Sequence, residues 1–172
     1  METSEVICAV STAPGIGAIA VLRMSGTGCI ALTDRIFESP SGKKLTGAKA
    51  NTVHFGRILE EGCLLDEVLV TIFHAPHSFT GEESVEIACH GSLYIQQRLL
   101  QLLVNQGARM ATPGEFTQRA FLNGKMDLSQ AEAVADLIAS SSAASHRMAL
   151  KQMKGGFSAE LMKLRGELLH IT

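Results

Sequence analysis

The sequence predicts an α+β protein: a mixed β-sheet domain with packed helices, followed by an all-helical C-terminal segment. Three observations carry this. Short apolar runs such as "VICAVST" and "AIAVLRM" recur through the first half of the chain, separated by turn signals rich in Gly and Pro. Helical patterns are mixed among them without strict βαβ alternation. From Thr112 onward the β-branched residues thin out, and Ala, Leu, Met, Gln and Lys take over. The shift places a domain boundary within 112–128, and the division predicted is 1–118 for the α+β domain and 119–172 for the helical one.

Bulk properties agree with a folded chain. Of its 172 residues 46% are apolar and only 19% are charged, well away from the composition of disorder. A formal net charge of −2 generates no molecule-wide field toward nucleic acid or anionic membranes, so either role needs a local patch. No apolar run approaches the ~20 residues that span a bilayer, and "METSEVICAVSTAPG" lacks the basic region of a secretory signal. Cys8, Cys29, Cys63 and Cys89 form no C-x-x-C, which suits buried free thiols in a reducing, cytoplasmic setting.

In chain order, strands are predicted over 6–12 and 18–24, the first closed by "APGIG" and the second carrying Arg23 at its end. Thr27 caps a predicted helix over "CIALTDRIF", and the polar stretch to about residue 52 reads as loop. A hairpin follows, with strands at 53–59 and 66–73 around Glu61-Gly62, ended by Pro76. "EESVEIACHG" (82–91) alternates, with Val85, Ile87 and Cys89 on one face and Glu86 and His90 on the other. The helix "SLYIQQRLLQLLVNQG" is capped by Ser92, buries a stripe of Ile95, Leu99, Leu102 and Leu103, and ends at Gly107.

The segment "TPGEFTQRAFLNGKMDLSQAEAVADLI" (112–138) predicts two helices joined by a specified turn. Thr112 and Glu115 form a capping box with Pro113 at the first helical position, and Asn123-Gly124 stops the helix. Ser129 and Glu132 are the second capping box, starting a helix with Leu128, Ala131, Ala135 and Ile138 on one side. Arg119 and Lys125 flank the turn. Both could simply complement the helix C-terminus; a DNA-reading pair of helices is disfavoured, because "SQAEAVADLIAS" offers carboxylates where phosphates need cations. Near the end, Leu161, Leu164, Leu168 and Ile171 make an apolar stripe with nothing following to cover it, which is the pattern expected of a fragment.

"VSTAPGIGAIAVLRMSG", "FHAPHSFTGEESVEIACHG" and "PGEFTQRAFLNGKMDLSQAEAVADLI" together resemble the N-terminal region of the tRNA-modifying GTPase family MnmE, also called TrmE. The resemblance covers most of residues 8–140, in order and spacing; 38–52 carries no signature. It implies a domain that binds 5-formyltetrahydrofolate or a related one-carbon tetrahydrofolate and forms a homodimer, then the opening helices of a domain that holds a P-loop GTPase. GTP, Mg and K belong to that GTPase part, and the chain contains no G-x-x-x-x-G-K-[ST]. The implied partners are a flavin-dependent protein (MnmG, or GidA) and tRNA, whose wobble uridine receives an aminomethyl-type group at C5.

Residue by residue, the family's ligand contacts fall on Arg23 in "VLRMSG", Glu86 in "SVEIACHG" and Lys125 in "LNGKMD". The chemistry is compatible. A reduced pterin presents adjacent N–H donors that one carboxylate accepts in bidentate fashion, and the glutamate tail of the folate is anionic. Taken alone, Glu86 also reads as an exposed strand residue and Arg23 as a strand-end cation, and the part of the ligand that each cation meets stays open. No catalytic acid, base or nucleophile and no metal-ligand spacing stands out; His74 and His77, either side of a proline, read as a loop. The alternative is a dimerisation and docking scaffold with no functional folate site.

Overall fold

A computed structural model describes residues 5–155 and 161–166. They fall into two compact units, Met1–Phe116 and Thr117–Thr172. The first is built on a seven-stranded mixed sheet, the second is helical, and the α+β class expected from the sequence is the one observed.

The sheet runs β3-β4-β5-β6-β2-β1-β7, with β1 Ile7–Val10, β2 Ile19–Ser25, β3 Phe37–Glu38, β4 Thr52–Glu60, β5 Cys63–Phe73, β6 Ser84–His90 and β7 Arg109–Met110. Every pairing is antiparallel except β1 with β7. The long β4–β5 hairpin turns at Glu61 and Gly62, both with positive φ (50° and 80°), the twist that matches a two-residue connection. One face of the sheet is dry: Leu22 and Met24 of β2, Val70 and Ile72 of β5, and Val85 and Ile87 of β6 are all fully buried. Helices α1 (Cys29–Thr33) and α2 (Leu93–Asn105) pack on it, α2 through Leu99 and Leu103. Gly56 lets β4 pass under Phe37; a Cβ there would stand 2.3 Å from the ring.

Several expectations are corrected. α1 stops at Thr33 and is capped at Gly28, without a side-chain cap, instead of starting at Thr27 and running through Phe37. Ile36 and Phe37 are buried as expected, but because the chain turns into β3 and pairs with β4. The segment 38–52 holds a short 3₁₀ turn, Leu45–Gly47, anchored by buried Leu45. Arg23 lies inside β2, not at its end. Cys63 is exposed, while Cys8, Cys29 and Cys89 are buried.

In the second unit, α4 (Leu128–Ala139) packs on α5 (Ala143–Met153). The capping box of α4 is formed by Asp127 and Gln130, one helical step earlier than Ser129 and Glu132. α5 has its own, Ser142 with Ser145. Gln130 also donates from Nε2 to the Met153 carbonyl (2.8 Å) and Gln152 to that of Ser129 (3.1 Å), tying the ends of the pair together. Residues 161–166 are helical with Leu161 and Leu164 exposed; Leu168 and Ile171 of the predicted stripe lie outside the described residues.

Candidate functional site

The antiparallel register of β2 with β6 sets Arg23 opposite Glu86. Each is flanked in its own strand by fully buried side chains (Leu22 and Met24; Val85 and Ile87), so both project from the sheet face opposite the helices. The alternation that buries Val85, Ile87 and Cys89 is thus the reason Glu86 points outward. Arg23 donates from Nε (2.9 Å) and Nη2 (2.7 Å), both to Glu86 Oε1. The pair is about seven-tenths buried, with 28% and 29% of the two side chains exposed. Both guanidinium donors converge on one carboxylate oxygen, a charge-assisted contact that ties the two side chains together.

Two aromatic rings complete the surroundings. The Arg23 guanidinium carbon lies 5.2 Å from the centre of the Phe79 ring and 5.8 Å from that of Phe116, within cation–π range. Neither phenylalanine was among the residues singled out by sequence. Phe79 comes from the irregular segment between β5 and β6. A network of short hydroxyl bonds pins that segment to β2: Ser25 Oγ lies 2.6 Å from Thr80 Oγ1 and donates to Glu82 Oε2 at 2.7 Å. Ser78 Oγ donates to the Glu82 carbonyl (2.6 Å), and Glu83 Oε2 accepts the Gly28 N–H (2.8 Å). The polar residues of "HSFTGEES" are therefore the fastening of Phe79, a role visible only once β2 is beside them.

Lys125 belongs to the second unit. It follows Gly124 (φ 69°) in a Schellman-type stop of α3 (Glu115–Leu122): Lys125 N–H donates to Ala120 O (2.9 Å) and Gly124 N–H to Phe121 O (3.0 Å). Its backbone is fixed, as the Asn-Gly pair predicts. The structure thus brings Arg23 and Glu86 together and sets Lys125 at a defined turn of the other unit. Upstream of α3, Glu115 Oε2 accepts the Thr112 N–H (2.8 Å), the reach-back predicted. The helix begins at Glu115, after Gly114 at φ 77°, so Thr112 and Pro113 lie in the turn before it and not at the cap and first helical position. Glu115 also pairs with Arg109 (2.7 Å).

The histidines sort as follows. His74 Nε2 lies 2.9 Å from the Ala48 carbonyl, a loop fastening. On β6, His90 Nδ1 lies 2.7 Å from Asp66 Oδ1, and the His90 N–H donates to Oδ2 (2.8 Å). Beside His90 the outward sheet face forms a shallow depression of about 180 Å³, walled by Ile19, Phe55, Leu69 and Ala88. Burial raises the Cys8 and Cys89 thiols to about 11 and the Cys29 thiol further still, with the Glu83 carboxylate adding to the last. Those three are packing groups, not thiolate nucleophiles. What the Arg23 region offers is a fixed carboxylate, a cation and two ring faces, a set suited to a planar N–H-rich heterocycle with an anionic appendage.

Residues 6–125 match the family described as the N-terminus of the GTP-binding protein TrmE, and 128–172 match the MnmE helical domain. Similar curated proteins include tRNA modification GTPases MnmE from Parabacteroides distasonis (61% identical over 168 residues), Bacteroides thetaiotaomicron (61% over 169) and Porphyromonas gingivalis (58% over 170). The matches cover 96% to 98% of this chain and 36% of each relative, so the chain spans about a third of their length. With both family models matched in order, the chain belongs to the MnmE (TrmE) family of tRNA modification GTPases and corresponds to its N-terminal region.

Proposed function

We propose that this chain is the folate-binding and dimerising part of a tRNA-modifying GTPase, with residues 1–118 as the folate-binding domain. Bound at Arg23 and Glu86, 5-formyltetrahydrofolate or a related one-carbon tetrahydrofolate would supply the carbon unit destined for C5 of the wobble uridine. Glu86 accepts the adjacent N–H groups of the aminopyrimidinone ring. Arg23 holds that carboxylate in place through its two hydrogen bonds, while Phe79 and Phe116 give the ring apolar walls. Lys125, on its fixed turn, is the cation assigned to the glutamate tail. GTP with Mg and K, the flavin-dependent partner MnmG, tRNA and the cytoplasmic location belong to the same reading of the whole protein. No helix among the described residues is long and apolar enough to cross a membrane.

The observation that carries this reading is the Arg23–Glu86 pair, about seven-tenths buried, in register on the sheet face opposite α1 and α2 and beside two phenylalanine rings. Calorimetric titration with 5-formyltetrahydrofolate tests it. Glu86→Gln or Arg23→Ala is expected to weaken binding by more than the ~1 kcal/mol of an ordinary hydrogen bond, and Lys125→Ala by about that much. Equal affinity of wild type and all three variants, or no binding by any, would overturn the assignment.

A second reading, a dimerisation and docking scaffold without a working folate site, is favoured by one observation. The outward sheet face exposes Ile19, Val53, Phe55 and Leu69 at 67%, 58%, 51% and 47%. Sedimentation with and without folate separates the two, because a pure scaffold gives a dimer indifferent to ligand.

A further inference from the structure

Between Ser39 and Leu59 the sequence carries Lys43, Lys44, Lys49, His54 and Arg57 and no Asp or Glu, in a chain whose net charge is −2. The fold gathers these cations instead of dispersing them. Lys43, Lys44 and Lys49, with Thr52 and His54, line one open pocket of about 440 Å³ at the 3₁₀ turn. All three lysines are exposed. Arg57 is turned to Glu67 in an ion pair and takes no part.

The frame beneath the lysines is held by hydrogen bonds and by a buried leucine. Asp34 accepts the N–H groups of Leu45 (2.7 Å) and Thr46 (3.0 Å), which engages its carboxylate at the start of the turn. Leu45 is buried in the core. Downstream, the Thr52 hydroxyl donates to the Lys49 carbonyl (2.6 Å) and lies 2.7 Å from His54 Nε2. The Asn51 N–H reaches the Ile72 carbonyl (2.8 Å), and His74 holds the carbonyl of Ala48. The loop around the 3₁₀ turn is thus fastened through Asp34, Thr52, Asn51 and His74 and by buried Leu45, and what it presents is positive charge.

We infer that this pocket is a docking site for the phosphodiester backbone of RNA. Lysine ammonium groups on flexible stems are point charges that neutralise phosphates spread over a surface. A small anion captured alone would call for converging, buried donors, and these lysines are solvent-facing. No phenylalanine or tyrosine lines the pocket, and the one ring there, His54, is engaged through Nε2 with the Thr52 hydroxyl (2.7 Å), so the contact is with backbone and is indifferent to sequence. The inference rests on the tRNA-modification reading and is independent of the folate site, since Arg23 and Glu86 line no part of this pocket.

The test is fluorescence anisotropy of the full chain with labelled unfractionated tRNA at 50 to 200 mM KCl. Each phosphate neutralised contributes about 0.9 to the slope of log K against log salt, so replacing Lys43, Lys44 and Lys49 by Ala should lower the slope by roughly 2 to 3. The affinity at 50 mM should fall about tenfold or more, and Lys→Arg at the same three positions should restore most of it. Calorimetry with 5-formyltetrahydrofolate on the Ala variant should match wild type, and Glu86→Gln should leave the tRNA slope unchanged, so the two sites fail separately. An unchanged slope and affinity in the Ala variant, or no tRNA binding by wild type, would overturn the inference. So would loss of folate binding alongside RNA binding. Displacement of tRNA by inorganic tripolyphosphate at equal phosphate concentration would reassign the pocket to a small polyanion.

Discussion

Arg23 and Glu86 show how little a β-strand needs in order to present a charged pair: one residue on each strand, in register, with buried neighbours on both sides. The same logic, applied to sulfur, yields a prediction. Cys8, Cys29 and Cys89 are buried and their thiols are raised by desolvation, to about 11 for Cys8 and Cys89, whereas Cys63 opens β5 beside an exposed turn. At pH 8 a maleimide reagent should label Cys63 quickly and the other three only in denaturant, as read by peptide mass spectrometry. Rapid labelling of a second thiol in the native protein would contradict the packing described. The outward aim of Glu86 was legible in the sequence, because a period of two with Val85, Ile87 and Cys89 on the inner face leaves no other choice. Phe79 and Phe116 were not legible. One sits on an irregular segment and the other at the start of a helix, and both meet Arg23 only through tertiary closure.

At the scale of elements, the two ends of a helix differ in how firmly local sequence specifies them. "DLSQAE" contains two overlapping capping signatures, Asp127 with Gln130 and Ser129 with Glu132. The first is used, and the reason lies upstream: the Schellman-type stop at Gly124 and Lys125 leaves the chain ready to re-enter helix by Leu128. Asp127 Oδ1 accepts the Gln130 N–H (2.8 Å), and Gln130 Oε1 accepts that of Asp127 (2.9 Å). Asp127→Ala should therefore cost about 1 kcal/mol and lower Tm by a few °C. Ser129→Ala should be nearly neutral, because the buried Ser129 Oγ has no hydrogen-bond partner to lose. Calorimetric scans of the two variants give the comparison, and a larger loss at Ser129 would reverse the cap assignment. The long strands, the hairpin turn and α2 were readable from period and turn chemistry. α1 was overextended, since buried Ile36 and Phe37 fit helical spacing yet are buried by pairing with β4. β7, two residues held in parallel to β1, is too short to leave a pattern.

For the molecule as a whole, the apolar row on the sheet face opposite α1 and α2 is the feature with most consequence. The register places Val21, Ala88, Leu69 and Phe55 in one row across four strands and Arg23, Glu86, Thr71 and Val53 in the next. Apolar side chains thus lie directly beside the ion pair, and a monomer leaves Phe55 and Leu69 about half exposed to water. A second copy of the chain laid against this face would bury that row and bring its own atoms toward Glu86, which would make the proposed folate site part of the proposed dimer interface. Phe55→Asp and Leu69→Asp place an unpaired charge on the row while leaving the helix-covered core untouched, so each should shift the sedimentation coefficient from dimer to monomer at micromolar concentration. The far-ultraviolet circular dichroism of the variants should stay that of wild type, since neither side chain belongs to the buried cluster of the first unit. If the face serves both roles, folate affinity falls together with dimerisation and recovers as protein concentration is raised. Dimers that persist in both variants, or a wild type that sediments as a monomer, would separate the apolar row from self-association.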